Sequence, residues 1–305
     1  MRLLTRSDFD GLISAVLLKE AGIMDEWKFV HPKDVQDGLI EVTPQDILAN
    51  VPYAPGCGLW FDHHSSEQER LGRDFAFEGA SEPLPSCARV IWQYYGGHRT
   101  FAPRFDEMLT YVDRCDSAQL SLDEVKEPRG WVLLSFVMDP RTGLGRYRDY
   151  RISNYQLMEE LVEWCRTMPV EEILRQPDVA ERVARYFAQE GLFRGMLAQH
   201  SRAQGNCVVI DLREVAEIFT GNRFTVYTMY PECNISMQVI WGKQQQNVVF
   251  TVGHSIFNRT SRTNVGSLML AYGGGGHAKV GTCQVATADA ARVLDELLQK
   301  INQDG

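Results

Sequence analysis

Over its first hundred residues the chain alternates short apolar runs with helical stretches, and this alternation limits its architecture more than any other feature. Residues 2–5 are a short apolar strand, and residues 11–21 (GLISAVLLKEA) follow at once with apolar side chains at helical spacing. Residues 28–31 (KFVH), 46–50 (DILAN) and 58–61 (GLWF) read as further strands, and residues 86–95 (SCARVIWQYY) as a helix. Strands alternating with helices across short loops predict an α/β fold with a doubly wound, mostly parallel sheet. Ligands of such sheets bind at the carboxyl ends of the strands. Asp8-Phe9-Asp10, Asn50 and Asp62-His63-His64 all fall at those ends.

Downstream, residues 105–115 read as a helix with Asp113 and Asp116 at its end. Residues 129–153 are rich in Gly, Pro and Arg and show little periodicity. Residues 154–201 are strongly helical, and the last of these helices is long and amphipathic, as a connector between domains would be. The texture changes near Gly205. Residues 207–210, 224–229, 235–241 and 247–252 are β-rich. A helix begins at 267–271 and stops at GGGGH (273–277), a short strand follows at 283–285, and residues 289–301 form a closing helix. The expected organisation is a first domain over 1–150, a helical connector over 151–204 and a smaller α/β domain over 205–305.

Composition narrows the function. A net charge of −9 argues against a protein that binds duplex DNA through many Lys and Arg contacts. It leaves room for a short anionic substrate in a local basic pocket. No segment approaches the roughly 18 apolar residues of a membrane span, and residues 1–5 show no signal-peptide pattern. Seven scattered cysteines, without a CxxC pair, fit reduced thiols in a cytoplasm.

Four short constellations carry chemistry. In Asp8-Phe9-Asp10-Gly11, two carboxylates at a strand-to-helix turn can each offer an oxygen to a metal ion, and the same residues suit plain helix capping. Asp62-His63-His64 offers a carboxylate and two imidazoles, a set suited to Mn²⁺, Fe²⁺ or Zn²⁺, with oxygen-rich company favouring Mn²⁺. Neighbours on a strand point opposite ways, so one histidine would ligate while the other holds phosphate or meets a carboxylate. A surface pair is the bland alternative. Asp113 or Asp116 would complete a metal set or simply end a helix. Four glycines before His277 place exposed N–H groups where they could hold an anion; a flexible loop is the alternative.

The order DxDG, a strand ending in DHH, a carboxylate after a helix and a C-terminal GGGGH resembles the DHH phosphoesterase superfamily, in its subgroup with a C-terminal DHHA1 domain. That subgroup includes exopolyphosphatase-like proteins, oligoribonucleases, phosphatases of 3′-phosphoadenosine 5′-phosphate and cyclic-dinucleotide phosphodiesterases. The resemblance covers roughly residues 1–130 and 205–305. It implies two Mn²⁺ ions at the carboxyl ends of a parallel sheet, Mg²⁺ or another divalent ion being an alternative, with a bridging water attacking phosphorus. By position, Asp8 would ligate the first ion, and Asp10, His63 and Asp116 the second. His64 would face the water or the phosphate, and Asp62 would orient a neighbouring ligand. Gly275, Gly276 and His277 would hold substrate, with Arg259 or Arg262 pairing a distal phosphate or carboxylate.

Two departures from the family pattern stand out. Arg6 occupies the region where members carry a histidine before the DxD pair; it cannot ligate a metal, and it would instead supply the missing positive charge and bind phosphate itself. Asn50 ends the strand where members carry a bridging Asp; Asp46 lies at that strand's other end. His31 would be a replacement ligand or a buried structural histidine. The resulting expectation is a cytoplasmic, metal-dependent phosphoesterase acting in the cleft between the domains. Its substrate would be a small phosphorylated molecule or short single-stranded nucleic acid, less so polyphosphate. No membrane partner is expected, and a homodimer is compatible with the sequence. Because of Arg6 and Asn50, the rival is a non-hydrolytic nucleotide binder or sensor of the same fold, holding one metal or none.

Overall fold

The computed structural model describes residues 1–305 except Ser65, Ser66, Gln68, Glu69, Arg73 and Asp74. The chain divides into two compact units: Met1–Leu120 with Pro128–Tyr186, and Ser121–Glu127 with Phe187–Gly305. The division falls inside the helix Pro177–His200, upstream of the change in texture at Gly205.

The first unit is built on a sheet of β1 (Arg2–Arg6), β2 (Glu26–Val30), β3 (Asp46–Ala49), β4 (Leu59–Asp62) and β5 (Gly79–Ser81). Their order is β2-β1-β3-β4-β5, and every pair is parallel. Parallel strands bury both faces, which is why these runs are almost continuously apolar. Side chains alternate between the faces. Leu3, Ile47, Ala49 and Phe61 pack into one core, whereas Leu4, Leu48 and Trp60 pack into another on the opposite side. The order reverses between β1 and β3, and a crevice at such a switch point is where open α/β sheets take ligands.

The helix Phe9–Glu20 leaves β1 after a two-residue turn and is buried from Phe9 through Leu18. Asp8 caps it, accepting the Gly11 N–H at 2.9 Å. Gly11 itself is required by proximity: a Cβ there would lie 2.0 Å from the Arg6 carbonyl oxygen. The helices Cys87–Tyr94 and Asp106–Asp116 pack beside it.

In the second unit a mixed sheet runs β10 (Gly275–His277), β11 (Val280–Val285), β9 (Val248–His254), β8 (Ile235–Trp241), β7 (Cys207–Asp211) and β6 (Ser201–Gln204). All pairs are antiparallel except β7 with β8. Val209, Met237, Phe250 and Val252 pack with Val293, Leu297 and Ile301 of the closing helix Ala290–Asp304.

Three local readings are corrected. Residues 224–229, rich in β-branched and aromatic side chains, contain the helix Thr225–Met229 instead of a strand. Tertiary contacts override propensity there: the Tyr227 hydroxyl lies 2.7 Å from Ser236 Oγ and donates to Gly253 O at 2.9 Å. The stretch 129–153 contains the helix Gly130–Met138, in which Trp131 through Val137 are all buried. A helix buried all round has no polar face, so its periodicity vanishes. The glycine run, expected as a loop, ends in strand β10, and the following strand begins at Val280 instead of 283.

Candidate metal centre

The carboxyl ends of β1, β3 and β4 bring together Arg6, Asp8, Asp10, Asn50, Asp62, His63 and His64, and Asp116 joins them from the end of the helix Asp106–Asp116. The centre is organised around His63. Its Nδ1 lies 3.1 Å from the carbonyl oxygen of Leu84. A carbonyl can only accept, so Nδ1 carries the hydrogen, and Nε2 of the neutral ring presents a lone pair. That Nε2 is buried and has no hydrogen-bond partner among the described residues. It faces Asp116 Oδ2 at 3.3 Å and Asp10 Oδ2 at 3.6 Å. A lone pair directed at two carboxylates is repulsive unless a proton or a cation lies between them.

Asp10 sits in the first turn of the helix Phe9–Glu20 and is held from across the fold. Its Oδ2 accepts the Cys87 N–H and its Oδ1 the Ala88 N–H, both at 2.9 Å. These are orphan donors at the start of the helix Cys87–Tyr94, a natural seat for a negative charge. Burial nevertheless pushes the Asp10 carboxyl well above its ordinary pKa, the charges of Asp116 and Asp8 push it further, and the two N–H groups oppose. Asp116 opens to solvent on one side, with its side chain 30% exposed. The protein around it raises its pKa too, against the pull of His63 and with the push of Asp8. Ligand atoms of Asp10, His63 and Asp116 all lie within 4.8 Å of one another. Two carboxylate oxygens and one imidazole fit an oxygen-preferring divalent ion such as Mn²⁺ or Mg²⁺.

His64 belongs to a separate pair. Its Nδ1 lies 2.8 Å from Asp62 Oδ1, and its backbone N–H donates to Asp62 Oδ2 at 3.2 Å. Burial disfavours a charge on His64, but Asp62, with help from Asp116, outweighs burial and Arg6 and lifts the pKa above its usual value. The two histidine rings are 4.3 Å apart, centroid to centroid. Strand alternation does not separate them, because β4 ends at Asp62 and the pair lies in the segment after it.

Asp8 is engaged differently. Arg6 Nε is 3.0 Å from its Oδ2. Asn50 Nδ2 donates to its Oδ1 at 3.0 Å. Asn50 adopts a left-handed backbone, with φ 55°, just beyond β3. Asp46 sits at the opposite end of that strand, where Arg2 Nε contacts its Oδ1 at 2.6 Å. His31 is neither a ligand nor buried: it is exposed, and its Nδ1 accepts the Lys33 N–H at 3.2 Å, capping the helix Pro32–Gln36. The alternative carboxylate, Asp113, is committed elsewhere. It accepts Ser86 Oγ at 2.6 Å and binds Arg89 through Nε at 2.8 Å and Nη2 at 2.5 Å. Sequence reasoning missed this clamp, and it missed Arg141, which pairs with Asp139 at 2.8 Å and lies in the field of Asp8 and Asp116. The arginine-rich stretch 129–153 was the available signal for Arg141.

The remaining expected positions lie in the second unit. Gly275, Gly276 and His277 form the exposed edge strand β10, with Gly276 at φ 153° opposite Gly281. Arg259 Nε donates to Ile256 O at 2.8 Å, and the exposed Arg262 donates its backbone N–H to Gly305 O at 3.0 Å.

No protein-family model matches the chain. A search of curated proteins also gives no match. Solved structures do match. A pGpG-specific phosphodiesterase, PggH from Vibrio cholerae, is 50% identical, with 100% of this chain and 99% of that one covered and a TM-score of 0.86. The DHH domain of a protein described as a member of a ribosomal-protein family is 14% identical over 99% of this chain and 86% of its own, with a TM-score of 0.61. RecJ from Thermus thermophilus, solved with Mn²⁺, is 13% identical over 99% of this chain and 52% of its own, with a TM-score of 0.52. The last two share the fold. The full-length similarity to a phosphodiesterase favours the hydrolase over a non-hydrolytic binder. By the convergence of Asp10, His63 and Asp116 at the strand ends, and by half-identity over its whole length to a member, the chain belongs to the DHH phosphoesterase superfamily.

Proposed function

We propose that the chain hydrolyses the phosphodiester bond of a short linear dinucleotide, with pGpG as the first candidate, using a divalent ion held by Asp10, His63 and Asp116. The buried Nε2 of His63, without a hydrogen-bond partner among the described residues and aimed at two carboxylates, carries the metal-dependent part of this reading. The 50% identity to a pGpG-specific phosphodiesterase supports the substrate.

When bound, the ion supplies a Lewis acid that polarises a phosphoryl oxygen and makes a water acidic enough to attack. The protein groups do the rest. Leu84 fixes the tautomer of His63, and Cys87 and Ala88 fix the carboxylate of Asp10. His64, held by Asp62 through its Nδ1, is the proton donor or phosphate contact. In the second unit, the exposed strand Gly275–His277, Arg259 and Arg262 are the candidate anion-binding groups, supported by the family resemblance and by the chemistry of backbone N–H and guanidinium donors. The seven cysteines are all free thiols, which supports a reducing, cytoplasmic setting. No helix among the described residues is long and apolar enough to cross a membrane.

The test is chromatographic. Protein loaded with Mn²⁺ or Mg²⁺ is given pGpG, other 5′-phosphorylated dinucleotides, longer oligonucleotides, 3′-phosphoadenosine 5′-phosphate and polyphosphate. GMP released from pGpG, faster than any product from the longer substrates, is the expected result. No turnover of any dinucleotide would sink the proposal.

A further inference from the structure

Asp8, Asp10 and Asp116 are not equivalent. Asp10 and Asp116 face the lone pair of His63, whereas both oxygens of Asp8 are already taken. Oδ2 faces the Arg6 guanidinium at 3.0 Å, and Oδ1 accepts the Gly11 N–H at 2.9 Å and the Asn50 amide at 3.0 Å. A cation placed on Asp8 would therefore displace donors on either side of it. It would also meet a fixed positive charge, because a guanidinium does not deprotonate in proteins. Nor does the bridging position help, since Asn50 turns its amide nitrogen toward Asp8 and carries no negative charge. Among the described residues, Asp10, His63 and Asp116 are the one group of three or more His, Cys, Asp or Glu whose donor atoms converge.

Arg6 fits the complementary role. It projects from the carboxyl end of β1 beside the switch point of the sheet. Asp8 anchors it through Nε, while its Nη groups make no hydrogen bond among the described residues and the side chain is 40% exposed. A guanidinium held by one edge presents its other edge as a two-pronged donor, the geometry that suits phosphate.

We infer that this site takes a single divalent ion, at Asp10, His63 and Asp116, and that Arg6, anchored by Asp8, stands in place of a second ion as the cation for the substrate's phosphoryl oxygens. The role of Arg6 rests on the phosphoesterase reading; the single-ion stoichiometry does not. Asp8 is then a positioning residue for Arg6 and a helix cap, not a ligand.

Stoichiometry and spectroscopy test this without turnover. Metal-stripped protein is reloaded with Mn²⁺, freed of excess ion, and examined by elemental analysis and electron paramagnetic resonance. One ion per chain with the hyperfine pattern of an isolated Mn²⁺ is expected. Two ions with an exchange-coupled spectrum, or none, would overturn the inference. The double substitution Arg6→Ala with Asn50→Asp removes the fixed cation and supplies a bridging carboxylate, and Asp tolerates the left-handed backbone at position 50. It should bind two coupled ions; if it stays at one, Arg6 and Asn50 are not what bars the second. Calorimetry with inorganic phosphate tests the remaining half. Arg6→Ala should weaken phosphate binding to the Mn²⁺-loaded protein at least tenfold with the ion retained, and unchanged affinity would remove Arg6 from the phosphate site. One bound ion with no cleavage of pGpG would count against the proposed substrate and leave the single-ion site standing.

Discussion

Asp113 sits one helical turn before the proposed ligand Asp116 and touches neither the ion site nor its ligands directly, yet its loss should be felt there. It ties the helix Asp106–Asp116 to the helix Cys87–Tyr94, whose first N–H groups hold Asp10. The clamp therefore fixes the separation of Asp10 and Asp116. Replacing Asp113 with Ala removes one hydrogen bond from Ser86 and two charge-assisted contacts from Arg89. Charge-assisted bonds contribute about 1.5–3 kcal/mol each. Arg89 and Asp113 are 23% and 15% exposed, so water screens part of that, and roughly 2–3 kcal/mol in total is a fair expectation. A domain of this size should lose roughly 4–10 °C in Tm. Residues that orient metal ligands typically change affinity about 10–100-fold, and the same range is expected for Mn²⁺ by titration calorimetry. Asp113→Asn, which keeps the shape and one acceptor oxygen, should fall between the variant and the parent. If Asp113→Ala lowers Tm while Mn²⁺ affinity stays within about twofold, the clamp holds the helices without setting the ligands, and the reasoning fails.

Three other outcomes follow from particular contacts. Asp62 holds the His64 pKa above its ordinary value, so the pair stabilises the fold below the unfolded histidine pKa and loses that contribution as pH rises through the folded one. Asp62→Asn should lower the His64 pKa by NMR titration, and its stability deficit should shrink toward alkaline pH. Asp46 is depressed despite its burial, by Arg2 and by Thr43, so its contribution is present above the unfolded carboxylate pKa and lost as pH falls through the folded one. Asp46→Asn should cost about 2 kcal/mol in neutral denaturant titrations, with the gap closing in acid. Gly276 has φ 153°, and a Cβ there would lie 2.3 Å from Val280 O. Gly276→Ala should loosen the hairpin of β10 and β11 by about 1–3 kcal/mol, seen as faster amide exchange at residues 275–280, with the parallel sheet of the first unit unchanged.

The sheet was legible because its determinants are local. Short runs such as LLT, DILA and LWF, spaced by helical stretches, can bury both faces only in a parallel sheet, and the observed strands start or stop within a few residues of those runs. The errors arose where context overrides local pattern. The helix Gly130–Met138 has no polar face to announce it, and the helix Thr225–Met229 is made of residues that favour strands. The candidate site was half legible. Its members could be named, since a chemically competent residue at a strand end is visible in one dimension. Ser86 and Arg89 could not, because their role exists only through a contact with a helix more than twenty residues away.

Arg6, Asp8 and Asn50 show where that limit lies. Each could be recognised separately, Asp8 as a carboxylate ligand, Arg6 and Asn50 as departures from what a metal would want. Their meaning changes once the register of β1 and β3 is known, because Thr5 pairs with Ala49 and so the residues just beyond both strands become neighbours. Asp8 then has two nitrogen donors from those strand ends within 3.0 Å, Arg6 Nε and Asn50 Nδ2. A carboxylate so surrounded has its charge balanced within the protein. The two departures are therefore a matched set, since each supplies a donor to the acid whose metal it would otherwise have left unsupported. Without them Asp8 would keep the Gly11 N–H but lose both nitrogen partners from the strand ends, and a buried carboxylate without a compensating charge is costly.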